Sequence, residues 1–540
     1  MRLRTTLALS LCFATVSAAP ADAQHDHGTP EKLGRVHFET TCKPEVAAGF
    51  DRAVALLHSF SFSAAKTAFE QVASKDPSCA MAHWGIALTH WGNPFAGLKP
   101  AKAVAAGHAA IQRALAAGTP SPRERDYITA AAELFKDHET VDQRTRTLAY
   151  ERAMERVYKS HPSDSEAAAF YALAVNQTAL PSDKTYAQQL KAAAILEKLF
   201  RDQPEHPGLA HYIIHAFDHP PLAARALEAA RRYAQIAPSA PHALHMPSHT
   251  FTRVGHWEDS IAANRKSYET SMREGSFGEA LHAIDYQVYA YLQTGQDAAA
   301  RRAIEEDAPK ALAKLDPNAM GGAAPGVAGL YAAAAIQARY ALERGAWAEA
   351  ATLQPTPTPF PFVDAVTRFA RALGAARSAN PAGAKAEVAE LKMLQEKLAA
   401  MKDAYWAEQV GIQQQVANAW ITFAEGRKAE AVEMLRKAAD AEDATDKSAI
   451  SPGPLVPARE LLGEMLLAVD RPGDALTELE TTLRKEPNRF RATYLAARAA
   501  SLSGKSDVAR NHFTHLLEIC KAGDTPGRPE LQEARKARAS

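Results

Sequence analysis

The 540-residue chain lacks several features that would indicate a function directly. It has no net charge, because 62 Lys and Arg residues balance 62 Asp and Glu residues, whereas a nucleic-acid binder needs a basic surface to neutralise phosphates. After its first 24 residues it has no apolar run of about 18 residues, the length that a transmembrane helix requires. P-loop, dinucleotide-binding, nucleophile-elbow and HExxH motifs are also missing. We therefore expect neither a nucleic-acid partner nor a transmembrane segment.

Aromatic residues are scarce at 7%, but 47% of the residues are hydrophobic, which argues against a disordered chain. Long stretches are rich in Ala with Leu, Glu, Lys and Arg, a composition typical of helical proteins with closely packed interfaces. Histidine is the unusual residue, with 20 copies. The positions of these histidines are more informative than their number.

The N-terminus has the pattern of a secretory signal. Two arginines precede an apolar run from residue 7 to residue 16, which is too short to span a bilayer. The small residues Ala21 and Ala23 then fit a signal-peptidase cleavage site. We expect residues 1–23 to be removed and the protein to be exported, to the periplasm, with 24–45 as an N-terminal extension.

Cysteine is rare, with four copies, and Cys12 lies in the predicted signal peptide. Of the remaining three, Cys42 and Cys79 form a plausible disulfide in an oxidising compartment. Cys520 would then stay unpaired and buried. The alternative is that all three are unpaired, buried residues.

A regular internal repeat predicts the fold. Ala475 and Ala509 occupy equivalent positions one period apart, and so do Leu479 and Phe513. The offsets 0, 4 and 12 recur in Ala65-Phe69-Pro77, Ala226-Ala230-Pro238 and Ala475-Leu479-Pro487. The period, from Ala475 to Ala509, is 34 residues. This pattern resembles the tetratricopeptide repeat (TPR), in which small residues allow close helix contact and proline ends the second helix. The resemblance implies an all-α, TPR-type helical-hairpin solenoid with two superhelical segments.

Breaks in the repeat pattern predict the domain organisation. Residues 46–312 form an N-terminal TPR superhelix, and a linker follows at 313–326. A C-terminal TPR segment covers 327–520, with a proline-rich break near 353–361. Residues 521–540 remain as a tail.

Nine of the 20 histidines fall between residues 206 and 282. Many of them, with their acidic and tyrosine neighbours, are spaced by three and four residues, which keeps side chains on one helix face. Three such sets occur: His211-His215-Asp218, His242-His245-His249 and His282-Asp285-Tyr289. The TPR resemblance implies that these sets lie on the first helices of three successive repeats, which line the concave groove.

Histidine and carboxylate side chains converging in one groove predict a transition-metal site. Neighbouring packed helices lie roughly 8–10 Å apart, so imidazoles from adjacent helices can reach one ion. We expect zinc, copper or iron rather than a thiolate-bound metal, because the groove lacks cysteine. The predicted ligands are His211, His215, Asp218, His245 and His249, with His242, His282 and Asp285 completing this site or forming a second one.

Two interpretations of function remain open. In the first, the protein binds a transition metal, and a metal-dependent hydrolase is the leading enzymatic hypothesis, with Asp285 and Tyr289 as candidate catalytic residues. In the second, it is a non-enzymatic scaffold that holds a peptide or protein partner in the groove. A metal-free polar network of the same side chains is a further alternative. Arg253 is the only obvious cation in this stretch of the groove, whereas TPR grooves that clamp a peptide carboxylate carry several.

The N-terminal half also resembles a narrower group of proteins. The segments HFETTC (residues 37–42) and DPSCAMAHWG (residues 76–85), together with the histidine-rich stretches, are similar to those of exported bacterial TPR proteins of unassigned activity. The resemblance covers roughly residues 35–300. It implies a TPR fold and an exported location, and it implies no reaction.

Overall fold

The computed structural model describes residues 31–118, 120–319 and 321–539. The predicted signal peptide, residues 1–23, lies outside the described residues. The first helices are α1 (Ala47–His58), α2 (Phe62–Lys75), α3 (Ala80–Trp91), α4 (Ala101–Ala116), α5 (Pro122–Ala132), α6 (Gln143–Ser160), α7 (Ser165–Gln177), α8 (Ala187–Asp202), α9 (Pro207–Ala216), α10 (Leu227–Ile236), α11 (Pro241–His245), α12 (Pro247–Arg253), α13 (Trp257–Arg273) and α14 (Phe277–Gln293).

The remaining helices are α15 (Asp297–Arg302), α16 (Ala308–Leu312), α17 (Gly326–Glu343), α18 (Trp347–Ala351), α19 (Pro361–Arg377), α20 (Pro381–Ala400), α21 (Ala404–Ala424), α22 (Lys428–Asp443), α23 (Ala458–Ala468), α24 (Pro472–Lys485), α25 (Phe490–Leu502), α26 (Ser506–Ile519) and α27 (Pro529–Ala539). A π-helical turn at Ala303–Asp307 and 3-10 turns at Pro44–Val46 and Ala223–Ala226 complete the described helical segments.

Consecutive helices pack as hairpins, and each hairpin packs on the next. Helix α1 pairs with α2, α3 with α4, α13 with α14, and α25 with α26, while α14 also packs against α17. Short turns between paired helices make the partners antiparallel. Since the described residues contain helices and no strands, the predicted all-α, TPR-type helical-hairpin solenoid is confirmed.

Helix starts follow from local sequence. The Ser121 side chain and Glu124 form a capping box at α5, and the Asp164 carboxylate accepts two backbone N–H groups at the start of α7. Pro207 and Pro241 open α9 and α11, where the missing N–H costs no helical hydrogen bond. These starts set the phase of the helices that carry the histidines.

Proline interrupts one of these helices beside the predicted site. Helix α11 ends at His245 and α12 begins at Pro247, which has no N–H to bond the Ala243 carbonyl. His245 and His249 nevertheless stay on one face, with their Nε2 atoms 3.1 Å apart. The break therefore alters the backbone without separating the two rings.

The C-terminal half folds back onto the first half. The Trp257 Nε1 atom donates to the Asn488 carbonyl at 2.8 Å, and the Asn488 side chain donates to the Gly255 carbonyl at 3.0 Å. The buried Arg489 guanidinium donates to the Tyr289 hydroxyl at 2.7 Å. These contacts close the concave side of the N-terminal repeats against later helices.

Of the predicted linker, proline-rich break and tail, the first two lie between helices, whereas the tail contains a helix. Residues 313–325 separate α16 from α17, and 352–360 separate α18 from α19 without a helix. The predicted tail instead contains α27, whose Leu531 and Ala534 are buried in a cluster with Phe490 and Phe513. Its apolar face therefore belongs to the packed body of the protein, although it does not follow the repeat pattern.

The predicted cysteine pair is bonded in the structure. Cys42 and Cys79 form a disulfide with a Cα–Cα distance of 4.8 Å, and Cys520 is free and buried. The bond ties the segment before α1 to the residue that precedes α3.

Candidate metal centre

Helices α9 and α11 bring three predicted histidines together. His211 and His215 lie one turn apart on α9, and His242 lies on α11. One ring nitrogen from each of these residues lies within 4.8 Å of those of the other two. Side chains four residues apart share a helix face, and the neighbouring helix supplies the third ring. We call these residues the first triad.

A second triad repeats this arrangement along the solenoid. Its first two members, His245 and His249, lie one repeat period after their counterparts in the first triad. Its third member, His282, lies on α14, the second helix after α12, and the three ligand nitrogens again lie within 4.8 Å of one another. The period of the repeat thus duplicates the paired histidines, and a histidine from a later helix completes each triad.

The two triads touch and form a six-histidine cluster. The ring centroids of His242 and His245 are 5.9 Å apart, and those of His215 and His249 are 6.3 Å apart. Each of the six side chains is at most 9% exposed. Burial is the largest cause of a lowered pKa in all six, so the rings are neutral near pH 7 and keep an unprotonated nitrogen.

Oxygen acceptors fix the Nδ1 atoms in the first triad. The His211 Nδ1 atom donates to the His58 backbone carbonyl at 2.7 Å. The His242 Nδ1 atom lies 2.7 Å from Glu279 Oε1, and the His242 Nε2 atom has no hydrogen-bond partner. Since a ring that donates from Nδ1 leaves its lone pair on Nε2, both residues present that lone pair for a ligand.

The second triad is anchored in the same way. His245 Nδ1 lies 2.6 Å from Asn264 Oδ1, and the Asn264 amide donates to the Ser260 carbonyl, which fixes the orientation of the amide. His249 Nδ1 donates to the Asp218 carboxylate at 2.8 Å. Both rings therefore carry their proton on Nδ1. Histidines that bind a metal through one ring nitrogen are held in the same way, by a hydrogen bond donated from the other.

The unprotonated nitrogens face each other. The Nε2 atoms of His245 and His249 are 3.1 Å apart, and so are those of His211 and His215. In the first triad, a proton on His215 Nε2 would turn its contact with His211 into a hydrogen bond. In the second triad this is not possible, because His245 and His249 both already hold their proton on Nδ1. Two nitrogens bound to one ion at roughly 2.0–2.1 Å each stand about 3.0–3.4 Å apart, which matches this spacing.

Asp218, predicted as a metal ligand, has a different position. Besides accepting from His249, it pairs with Arg253 at 2.9 Å and with Lys447 at 2.9 Å. Burial opposes its ionisation, but Lys447 and Arg253 lower its pKa well below the usual range. Its two oxygens are thus used to hold His249 and two cations, so the assignment of Asp218 as a direct ligand is corrected to an orienting role.

Asp285 and Tyr289, predicted as catalytic residues, lie outside the triads. Asp285 pairs with the buried Arg339 at 2.9 Å, and burial raises its pKa to about 6 although Arg339 opposes this. The Tyr289 hydroxyl accepts from Arg489 at 2.7 Å. Both side chains are fully buried where the two halves of the protein meet, so the structure gives them a role in packing rather than in the candidate site.

The groove over the six-histidine cluster is covered by the chain itself. The segment between α22 and α23 places the Lys447 ammonium against Asp218 and, at 3.4 Å, against the Tyr286 hydroxyl. Tyr286 donates to the Ser451 carbonyl of the same segment at 3.2 Å. The open groove expected for a peptide partner at this point is therefore closed, because the C-terminal half packs into the concave face.

Three residues that complete the site were missed by the sequence analysis. The Tyr286 hydroxyl lies 3.3 Å from His249 Nε2, and Glu279 and Asn264 fix ring nitrogens. Tyr286 and Glu279 lie four residues after and three residues before His282, so helical spacing could have found them. Asn264 lies on α13, the second helix of a hairpin, which the repeat pattern does not place in the groove.

A third buried group, the carboxylate cluster of His58, Glu166 and His206, lies next to the first triad. The Nε2 atoms of the two histidines donate to the two Glu166 oxygens at 2.8 and 2.9 Å. The Tyr212 hydroxyl donates to His58 Nδ1 at 2.8 Å, and the Leu209 backbone N–H bonds to His206 Nδ1 at 3.3 Å. Every ring nitrogen here has a partner, so this cluster is a satisfied polar network.

Comparisons with known proteins identify no family. No family model matches the chain, and no curated protein matches it. Solved structures with similarity include a complex of Naa15 and Naa10 bound to HypK (11% identity, TM-score 0.25, covering 91% of both chains) and a human IFIT1 dimer with PPP-AAAA (13%, 0.33, covering 82% of this chain and 91% of that chain). The Cut9–Hcn1 hetero-tetramer of APC/C is another (11%, 0.28, covering 92% and 96%). Because these TM-scores are low, we draw no conclusion from them.

Membrane-spanning helices are absent from the described residues. None of their helices combines the length and the apolar character needed to cross a bilayer.

Proposed function

We propose that the protein is a metal-binding helical solenoid in which the two histidine triads hold two adjacent transition-metal ions. Zinc, copper and iron are the ions that suit a set of neutral imidazole nitrogens. Asp218, Glu279 and Asn264 serve as the acceptors that orient the ligand rings.

The contact between His245 Nε2 and His249 Nε2 carries this proposal. Two lone pairs at 3.1 Å repel each other unless a cation lies between them. A second proton on His249 would only let that ring donate to His245, whereas a metal ion accepts the lone pairs of both rings at once. A metal ion satisfies both nitrogens and needs no proton.

We propose metal-dependent hydrolysis as the class of reaction. Three nitrogen ligands leave a coordination position for water, and a metal such as zinc lowers the pKa of bound water to about 7. The Tyr286 hydroxyl lies 3.3 Å from His249 Nε2, and by turning its proton away from the Ser451 carbonyl it could donate a hydrogen bond to a group bound there. It replaces Asp285 and Tyr289 as the candidate catalytic side chain.

We also propose that the protein is exported to the periplasm and loses residues 1–23. The signal-like N-terminus supports this location, and so does the Cys42–Cys79 bond, since disulfides persist in oxidising compartments. Cell fractionation followed by N-terminal sequencing tests this proposal. A mature N-terminus at Gln24 in the periplasmic fraction is the expected result, and retention of Met1 in the cytoplasm would contradict it.

Metal content tests the central proposal. The untagged protein, purified without chelators, is analysed by mass spectrometry before and after incubation with each metal, and we expect about two ions per chain. His211→Ala should lose one ion, and His211→Ala combined with His245→Ala should lose both. X-ray absorption of the loaded protein should show about three imidazole ligands per ion.

His256→Ala is the matched control, since His256 is partly exposed and pairs with Asp259 away from the triads. Its metal content should equal that of the unmodified protein. If the double variant binds as much metal as the control, the triads are not the site. If metal binds but a panel of ester, amide and phosphate substrates is not hydrolysed, the reaction class is wrong and the metal site stands.

A further inference from the structure

A cavity in the C-terminal half borders the segment that closes the concave face. Its walls include one side of α21, Phe369 of α19 and Glu486, which follows α24. The volume open to the centres of water molecules is about 70 Å³. One water needs roughly 10–15 Å³ by this measure, so the cavity has room for several waters or for one small organic molecule.

Glu486 brings an unpartnered carboxylate to this cavity. Its side chain lines the cavity and is only 5% exposed, yet its oxygens keep accessible surface. Within the described part of the chain, these oxygens accept no hydrogen bond, and no cationic nitrogen lies within 4.0 Å of them. Since a buried charge is costly unless it is paired, the carboxylate favours a ligand that brings a positive charge.

A second carboxylate, that of Glu442, also lines the cavity. One of its oxygens accepts from the Ala458 backbone N–H at 2.8 Å, and the other has no partner among the described residues. Burial raises the pKa of Glu442 to about 7, and the charge of Glu486 adds to this rise, although Lys485 opposes it. Both carboxylates therefore lack sufficient positive charge beside them.

The cations around the cavity are committed to other carboxylates. Lys447 and Arg253 each pair with Asp218 at 2.9 Å and interact with Glu486 only at longer range. Two cations that share one carboxylate leave one positive charge, whereas Glu442 and Glu486 supply two negative charges. Further charged groups at the cavity are paired as well, Lys485 with Asp443 and Asp446 with Lys184. The lining therefore accommodates one additional positive charge.

Aromatic side chains form much of the remaining wall. The ring centroids of Trp406 and Tyr331 lie 5.5 Å apart, and Tyr405 and Phe369 also line the cavity. Aromatic faces attract cations, and aromatic carbon surface packs against an alkyl chain. No group of three or more potential metal ligands, among the residues that the structure describes, converges here. The lining therefore suits an organic cation better than a metal ion.

We propose that this cavity binds a small primary amine in its protonated form. The ammonium group donates hydrogen bonds to Glu486 and to the unpartnered oxygen of Glu442, and a short alkyl chain packs against Trp406 and Tyr331. The site is independent of the proposed metal centre, although Lys447 borders both.

The test compares two probes of similar size that differ in charge. Propylammonium carries the charge, and 1-propanol has the same chain without it. Both are titrated at about pH 7, where an alkylamine is protonated, into the full chain after removal of metal, so that the amine cannot bind a metal ion. Ligand-observed NMR should show saturable binding of propylammonium and binding of 1-propanol that is at least about tenfold weaker, because hydrogen bonds between charged groups are the stronger ones.

Variants assign the binding to the two carboxylates. Glu486→Gln and Glu442→Gln should each weaken propylammonium binding about tenfold. Both should fold, since Glu486 has no hydrogen bond to lose and a glutamine in place of Glu442 keeps an oxygen for the Ala458 N–H. Glu433→Gln, on the exposed side of α22, is the matched control and should leave the affinity unchanged. If either variant fails to fold by circular dichroism, the comparison of the two probes on the unmodified protein still decides the question.

Four results would overturn the proposal. They are equal affinity for the two probes, no saturable binding of propylammonium, unchanged affinity in a folded Glu486→Gln variant, and soaked crystals that show only ordered waters beside Glu486. Repeating the titration on the His211→Ala/His245→Ala double variant separates this site from the metal centre. Unchanged binding there supports independence, and lost binding in a folded double variant contradicts it.

Discussion

The carboxylate cluster and the six-histidine cluster are built from the same residue types and lie next to each other, but their ring nitrogens differ. In the carboxylate cluster, His58 and His206 donate to Glu166 and accept from other groups. In the six-histidine cluster, the donors point outward to oxygen acceptors, and the lone pairs of His245 and His249 meet at the centre. The direction of the protons thus separates a structural network from a candidate metal site, even though both groups are buried and compact.

This difference shows why proximity of ligand atoms is not sufficient evidence of a metal site. The carboxylate cluster also places three ligand atoms within 4.8 Å of one another. Its nitrogens are all satisfied, so a metal would have to displace existing hydrogen bonds. In the second triad a metal would replace a repulsive contact, and it should therefore bind there in preference.

The largest effect should come from Glu166→Gln. The substitution places an NH₂ donor where an imidazole N–H now donates, and we expect a loss of about 3–5 kcal/mol in the free energy of unfolding. Urea unfolding in the presence of EDTA measures this loss. Metal content should not change, because Glu166 touches neither triad.

Glu205→Gln is the control for this change, since the Glu205 side chain is about half exposed and pairs with Arg232 at 3.4 Å. It should shift stability by no more than about 0.5 kcal/mol. If Glu166→Gln removes bound metal while stability is unchanged, the roles assigned to the two clusters are reversed.

The next effect is stabilisation by metal. At a free metal concentration of about 100 times the dissociation constant, each site should add about 2.7 kcal/mol to the free energy of unfolding. The gain should vanish in the His211→Ala/His245→Ala variant and persist in Glu166→Gln and in His256→Ala. Thermal or urea unfolding with and without metal measures it, and an equal gain in the double variant would show that the ion binds elsewhere.

A smaller effect should follow from Asp218→Asn. Loss of the carboxylate that orients His249 should weaken the affinity for one of the two ions about 10- to 100-fold and leave the other unchanged. Competition with a chromophoric chelator resolves the two affinities. Asp259→Asn, on the exposed surface beside His256, is the control, and equal weakening of both ions would mean that Asp218 acts on the cluster as a whole.

Much of the cluster could be predicted from the sequence, because helical periodicity fixes which side chains share a face. The spacing of His211 and His215, which recurs in the next repeat as His245 and His249, is sufficient to place each pair on one helix. The solenoid follows from the alanine and proline offsets in the same way. Both are local properties of the chain and need no knowledge of distant contacts.

The closure of the groove could not be predicted by the same reasoning. Lys447, Arg339 and Arg489 reach Asp218, Asp285 and Tyr289 from distant parts of the sequence, through helices whose repeats give no sign of this packing. The repeat pattern alone therefore predicts an open groove, with Asp218 as a ligand and Asp285 and Tyr289 as catalytic residues. Side chains that pair across the two halves depend on tertiary contacts, which a repeat pattern does not encode.

The smallest effect is the pH dependence of the Glu166 contribution. Burial alone would raise the pKa of Glu166, but His58 and His206 outweigh it and lower the pKa well below the usual range. A group with a lowered folded-state pKa stabilises the fold above its unfolded pKa of about 4.3 and loses this contribution as the pH falls further. The stability difference between the unmodified protein and Glu166→Gln should thus stay constant from about pH 7 to about pH 5 and then shrink by at most ~1.4 kcal/mol per pH unit. Metal stabilisation should also decline on acidification, because protons compete for the imidazole nitrogens, but burial lowers the pKa of all six rings, so this decline starts below the ordinary histidine value of about 6.5. Urea unfolding across this pH range measures the Glu166 contribution when EDTA is present and the metal stabilisation when metal is present. A Glu166 contribution that disappears already near pH 6 would place the stabilising charge on the histidines instead.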